Sequence, residues 1–183
     1  SAQLRKLAEV LNYPVTSTLM GLGAFPASSP RFLGMLGMHG TYEANMAMHH
    51  CDVIIAIGAR FDDRVTNTPS RFCPDAKIIH IDVDPTSISK TVVADLPITG
   101  PVDAVLDEMI AQIEDVQRSA RGGPDRVALE AWWSEIERWR DAHGIYRQPR
   151  YDSSGSLIMP QDVIRCLHEV TGGDLELQGY LAR

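Results

Sequence analysis

Cysteine is scarce in this sequence: Cys51, Cys73 and Cys166 are the only three in 183 residues. Few, widely spaced and odd in number, with no CxxC pair, they exclude a disulfide-stapled secreted domain and a cysteine metal or redox motif. They read as reduced thiols of a cytoplasmic protein. Basic charge is also short, with 17 Lys+Arg against 24 Asp+Glu and a formal net charge of −7. A phosphate-binding face needs the opposite sign, so a nucleic-acid partner is not expected. No apolar run approaches the roughly 20 residues of a membrane span. No stretch joins positive residues to an apolar block in the manner of a secretion leader, and no internal repeat is visible. The remaining composition, 44% hydrophobic and 22% charged, is that of a globular protein. A chain of this length buries roughly 70% of its unfolded surface, enough for a real core.

Within that ordinary background, Leu33–Val65 carries the most information. Three glycines (Gly34, Gly37, Gly40) predict a tight turn, and Thr41 is a natural N-cap for a helix over Tyr42–His50. The unbroken run Val53–Ile57 then reads as a strand buried in a parallel sheet. It ends on Gly58 and is followed by Arg60, Asp62, Asp63 and Arg64. A second such strand, Lys77–Ile81, ends on Asp82-Val83-Asp84-Pro85. In open α/β sheets, ligands bind just outside the carboxyl ends of the strands. Glycine admits a close backbone approach there, arginine adds positive charge, and an acidic strand tip suits ribose hydroxyls. Asp82 and Asp84 alternate in direction, so only one can face a given ligand. The pattern predicts an α/β, doubly wound, mainly parallel sheet flanked by helices, serving a nucleotide cofactor. A blander reading stands beside it, in which the glycines only make turns and the arginines pair with Asp62 and Asp63.

Elsewhere, Leu4, Leu7, Ala8 and Leu11 share one helical face over residues 3–11. A strand normally precedes such a helix in a doubly wound domain, so the sequence is expected to be a piece of a longer chain. Pro14–Thr18 predicts a short strand with a turn at Gly21 and Gly23, and Pro97–Gly100 another. Pro101 is expected at the first position of a helix carrying Val102, Val105, Leu106, Met109, Ile110 and Ile113 at helical spacing. Composition shifts at Arg118–Asp125, which reads as a linker. Leu129, Trp132, Trp133, Ile136 and Trp139 form a stripe on a helix over Arg126–His143, expected to be packing rather than a cofactor box. Gly144–Met159 reads as loop, and Pro160–Val170 as a last helix with Val163, Ile164 and Leu167 inward. Among the histidines, His80 is expected to be a hydrogen-bonded core residue. His49 and His50 are adjacent on a helix and point different ways, which argues against a shared metal. His39 has no serine or cysteine neighbour that would make it part of a nucleophilic site. No catalytic residue and no metal ligand is expected in this chain.

The strings TLMGLGAFP (Thr18–Pro26), LGMLGMHGTYEANMAMHHCDVIIAIGARFDDRV (Leu33–Val65) and IIHIDVDPTSISK (Ile78–Lys90) carry a resemblance. They are similar to the central domain of the large, catalytic subunit of the acetohydroxyacid synthase (acetolactate synthase) family. The likeness runs over residues 4–174, and the last nine residues fit poorly. It implies the Rossmann-like central domain of a thiamine-diphosphate enzyme. Residues 1–118 would then be an FAD-binding α/β domain, 119–159 a linker with one Trp-rich helix, and 160–183 the start of a C-terminal thiamine-diphosphate-binding domain. By the same resemblance, FAD contacts fall on Thr18, Leu19, Leu36, Gly37, Met38, His39, Gly58, Ala59, Arg60, Phe61, Asp62, Asp82, Val83 and Val102. The family has an acidic residue where this chain has Pro101, so the contact beside Val102 is main-chain or lost. Met38, His39, Asp63 and Arg64 match positions near flavin or along a substrate and inhibitor channel.

The family condenses two 2-keto acids on thiamine diphosphate and Mg²⁺, whose activating glutamate and GDG motif belong to the flanking domains. Gly172-Gly173-Asp174 is not that motif. The resemblance therefore implies a structural FAD, no catalysis from this chain alone, and weak or no FAD binding by it alone. Implied partners are the flanking domains, a second copy of the full-length enzyme and a small regulatory subunit. Two other readings are weighed against it. One is the central domain of another thiamine-dependent enzyme, of the oxalyl-CoA decarboxylase or glyoxylate carboligase type. The other is a stand-alone nucleotide sensor.

Overall fold

The computed structural model describes residues 2–119, 122–144 and 160–172. The chain divides into two compact units, Ser1–Gln148 and Pro149–Arg183. In the first, the elements run α1 (Ala2–Leu11), β1 (Val15–Ser17), β2 (Phe32–Met35), α2 (Tyr42–His50), β3 (Val53–Ile57), α3 (Asp63–Thr66), β4 (Lys77–Asp82), β5 (Leu96–Thr99), α4 (Val102–Arg118) and α5 (Arg126–His143). All described strand pairs are parallel. β3, β4 and β5 form one sheet in that order, in register Ile54↔Ile78 and Ile81↔Ile98, while β1 and β2 form another.

The winding follows from side-chain alternation in the two aliphatic strands. Ile55, Ile57, Ile79 and Ile81 face α1 and α4, where Leu7, Leu11, Leu106 and Ile110 close the layer. Ile54, Ala56 and Ile78 face the other way, onto Phe61, Cys73 and Met48 of α2. Strands covered on both faces have no polar positions to spare, which is why β3 and β4 read as continuous apolar runs. A third core joins β2, α2 and α5 through Leu33, Leu36, Ala44, Ala47, Ile136 and Trp139. Truncating a fully buried member such as Ile81, Leu106 or Ile136 costs about 2–5 kcal/mol.

The predicted fold class and most predicted elements are present. The strands, however, hydrogen-bond as a pair and a trio rather than as one continuous sheet. β2 and the single-turn α3 were not anticipated. Pro101 sits at the N-cap of α4, and the helix proper begins at Val102. The tryptophan helix α5, assigned by sequence to residues 119–159, shares the core of the first unit. Trp133 Nε1 donates to the Asn12 carbonyl at 2.9 Å, and Arg140 Nη2 to those of Pro30 and Phe32 at 3.0 and 2.9 Å.

In the second unit, α6 (Pro160–Val170) forms as expected. Val163 and Ile164 are exposed and Leu167 is half-buried, so the inward face predicted for this helix is not realised. An apolar stripe is buried only where another element packs on it. The remainder of the Gly144–Met159 loop, Gly173-Asp174 and the last nine residues lie outside the described residues. No described helix is long and apolar enough to cross a membrane.

Candidate functional site at the carboxyl edge

A chain of main-chain hydrogen bonds joins the loops that follow the strands. The Leu36 N–H donates to the Ser17 carbonyl at 3.2 Å, holding the tip of β2 to that of β1. The Met38 N–H then reaches across to the Arg64 carbonyl at 2.9 Å, and the Gly58 N–H to that of Ile81 at 2.8 Å. Finally, the Gly100 N–H donates to the Asp82 carbonyl at 3.0 Å, just before α4 begins. Gly58–Arg64 and Asp82 thus lie side by side on one edge of the molecule, with the glycine-rich loop docked against them.

Local chemistry explains each loop. At Gly37, φ is +90° and an added Cβ would lie 2.3 Å from the Arg64 carbonyl oxygen, so only glycine permits this docking. The Asn45 side chain, one turn into α2, clamps the same glycine: its Oδ1 accepts from Gly37 N at 2.8 Å and its Nδ2 donates to Gly37 O at 2.9 Å. Thr41 caps α2 by accepting from Ala44 N at 3.2 Å, and its hydroxyl donates to the Leu33 carbonyl at 2.5 Å. Asp62 caps α3 through the N–H groups of Arg64 and Val65. Asp63 meets Arg64 only at 4.0 Å with both side chains exposed, a contact of little energy. Arg60 has no ion pair among the described residues and is exposed. The reading in which both arginines are spoken for by Asp62 and Asp63 therefore does not hold for Arg60.

The remaining predicted residues divide by exposure. Leu19, Met38 and Val83 are 68%, 58% and 68% exposed, unusual for large apolar side chains. His39, Asp62, Asp63 and Arg64 are exposed as well, and Met38 Sδ accepts from Arg64 Nη1 at 3.8 Å. Leu36 and Phe61 are buried, so only their main chains face the edge. Phe61 holds φ of 52°, and its ring packs edge-on against His80 and Phe72. Thr18 is half-buried and uses its hydroxyl to cap the turn at Leu19–Gly21, accepting from Gly21 N. Ala59 is anchored through its carbonyl, which accepts from Nε2 of the fully buried His80 at 2.8 Å. Since a carbonyl only accepts, Nε2 carries the proton, and Nδ1 is left buried without a partner. Val102 is half-buried against α4's own core.

The two acidic tips separate as their alternation requires. Asp82 is buried at 8% exposure and accepts from the Asp84 N–H at 2.9 Å. Asp84 is exposed and folds its own turn: the Thr86 hydroxyl and N–H bond its carboxylate and hold its pKa below the ordinary value of 3.8. His49 and His50 touch edge to face at a centroid distance of 4.8 Å, and His50 stacks on Trp139. Two clefts, of about 470 and 380 Å³, share no residue with this edge. The larger is lined from α2 and α5, the smaller chiefly from the end of α1 and from α4.

Residues 1–109 match the family model described as thiamine pyrophosphate enzyme, central domain. The chain belongs to that family. As a thiamine pyrophosphate enzyme central domain, it is 51% identical over 172 residues to the acetolactate synthase isozyme 3 large subunit of Escherichia coli, covering 94% of this chain and 29% of that protein. It is 46% identical over 182 residues to the acetolactate synthase large subunit of Haemophilus influenzae, covering 100% and 30%. With the acetolactate synthase of Mycobacterium leprae it shares 44% over 170 residues, covering 93% and 26%. The chain thus spans less than a third of the length of these relatives. The Haemophilus likeness extends beyond residue 174, into the nine residues that fit the family resemblance poorly.

One feature of this central domain was not read from the sequence, the Asn45 clamp on Gly37. Asn45 has a legible signal in retrospect, a carboxamide one helical turn after a glycine-rich loop.

Proposed function

We propose that this chain is the FAD-holding central domain of an acetolactate synthase large subunit. The whole protein would condense two pyruvates, or pyruvate and 2-ketobutyrate, to a 2-acetohydroxy acid with loss of CO₂, in the biosynthesis of valine, leucine and isoleucine. The observation that carries this reading is identity of about one residue in two with proteins of that name, over 94% of the chain and therefore through every loop of the carboxyl edge.

The edge fits a dinucleotide in three respects. Gly58, at φ +61°, has no atom within 4 Å of where a Cβ would stand, leaving room for a close approach to its backbone. The unpaired Arg60 guanidinium would bind pyrophosphate, and the buried Asp82 carboxylate would accept from ribose hydroxyls. Leu36, Gly37, Ala59, Phe61 and Val102 would contribute main-chain groups, while Leu19, Met38 and Val83 would lose their exposed apolar surface to the ligand. Thr18, His39 and Asp62 complete the contacts, and Met38, His39, Asp63 and Arg64 would border the substrate channel. Bound FAD would be structural, because the net condensation transfers no electrons. Thiamine diphosphate and Mg²⁺, which supply the carbanion chemistry, would be held by flanking domains, in a cytoplasmic homo-oligomer with or without a small regulatory subunit. This chain's task is to orient those neighbours, with no catalysis of its own.

The test is to purify the full-length protein, read its flavin absorbance, and assay 2-acetolactate from pyruvate with thiamine diphosphate and Mg²⁺. A colourless protein that makes no acetolactate would sink the reading. Arg60→Ala is expected to weaken flavin affinity about 10–100-fold, the loss of one hydrogen bond to a charged group, with no change in the thermal midpoint of the flavin-free protein.

A further inference from the structure

Gly37 sits where the glycine-rich loop meets the α3 loop, and a side chain from outside the edge fixes how its peptide groups point. Asn45 Oδ1 accepts from the Gly37 N–H at 2.8 Å, which orients the peptide group between Leu36 and Gly37. Asn45 Nδ2 donates to the Gly37 carbonyl at 2.9 Å, which orients the next one, between Gly37 and Met38. That second group is held at its other end as well, where the Met38 N–H donates to the Arg64 carbonyl at 2.9 Å. The helix that carries Asn45 is itself anchored. The Thr41 N–H donates to the Met35 carbonyl at 2.9 Å, and Ala44 and Ala47 are buried in the core that α2 shares with β2 and α5.

The clamp does not serve its own helix. Asn45 is exposed in the interior of α2, where alanine is the better helix former, and Thr41 already supplies the N-cap. Both polar groups of the side chain are instead spent on a glycine eight residues back, at φ of +90°, whose backbone is otherwise permissive. What gains from them is the loop of residues 36–39. We propose that Asn45 is a positioning residue for the cofactor. By pinning both peptide groups of Gly37, it holds residues 36–39 in the shape that FAD meets, and raises affinity without a contact of its own. This role rests on the FAD reading of the edge.

The experiment strips flavin from the full-length protein and from its Asn45→Ala variant, then titrates FAD into each by flavin fluorescence. Asn45→Ala is expected to weaken FAD binding about 5–30-fold, the penalty of ordering one backbone residue as the ligand binds. Hydrogen–deuterium exchange of the two flavin-free proteins should be faster over residues 34–40 in the variant, and no faster over α2. A side chain that merely supported α2 would give the reverse, with faster exchange in the helix and FAD affinity intact. If the parent binds FAD and the variant binds it equally well, the positioning role falls and the FAD reading stands. If the parent binds no FAD, both fall. Weaker binding with unchanged exchange over residues 34–40 would also overturn the proposal, because Asn45 would then act on the ligand directly. An exposed helical position that favours alanine leaves the variant able to fold, and equal exchange over β4 in the two proteins checks that it has.

Discussion

Gly37 and Gly58 both hold positive φ, yet their substitutions should behave differently. At Gly37, an alanine methyl would meet the Arg64 carbonyl oxygen at 2.3 Å, a backbone atom already bonded by Met38 N. Relief requires pulling the glycine loop off the α3 loop, and the expected cost is about 2–4 kcal/mol. At Gly58 a methyl meets nothing within 4 Å, so Gly58→Ala should cost only about 1 kcal/mol of backbone strain. Urea midpoints of the two variants check the order. If the space beside Gly58 belongs to a ligand, Gly58→Ala should still lose flavin affinity in the full-length protein. Equal destabilisation with unchanged affinity would contradict both arguments. Sequence alone does not separate these glycines. Each follows a short apolar segment, and only the fold reveals which one has a carbonyl against it.

Among the elements, β3, β4, α4 and α5 were legible because burial dictates their pattern, and α2 because Thr41 caps its start. Two-sided burial yields unbroken Val/Ile runs, and one-sided burial yields helical periodicity. β2 was hidden because Phe-Leu-Gly-Met is short and carries a glycine that imitates a turn. α3 was hidden because a single turn has no periodicity and depends on the Asp62 cap. The start of the β4–β5 ladder depends on a side chain as well. Asp95, immediately before β5, accepts from Ile78 N at 2.9 Å and from Lys77 Nζ at 3.0 Å. These bonds, that from Ile78 foremost, hold its pKa below the ordinary 3.8. A depressed carboxylate pKa stabilises the fold above its unfolded value, and the contribution is lost as pH falls through the native one. Asp95→Asn should therefore be less stable than the parent at pH 7, with the gap closing below about pH 4. Denaturant midpoints across that range test the sign, and a gap that widens on acidification would be the wrong outcome. Thr41→Ala, which removes both the α2 cap and the bond to Leu33, should cost about 1–2 kcal/mol at any pH in the same assay.

At the scale of the whole molecule, the carboxyl edge spans two sheets that share no ladder hydrogen bond. β1 and β2 carry Thr18 and Leu36–His39, while β3 and β4 carry Gly58–Asp62 and Asp82. Across that division, the described main-chain tie between the site loops is Met38 N to Arg64 O. A ligand bridging the halves must bear the entropy of fixing them, about 1–2 kcal/mol for each backbone residue ordered. Pre-organisation by additional chain would remove that cost and appear directly as affinity. Flavin should therefore bind the isolated 183-residue chain weakly or not at all and the full-length protein tightly. Parallel fluorescence titrations of FAD into the two proteins measure the difference. Tight, stoichiometric, yellow binding by the short chain would mean that the one tie, with the Asn45 clamp behind it, already makes the edge rigid.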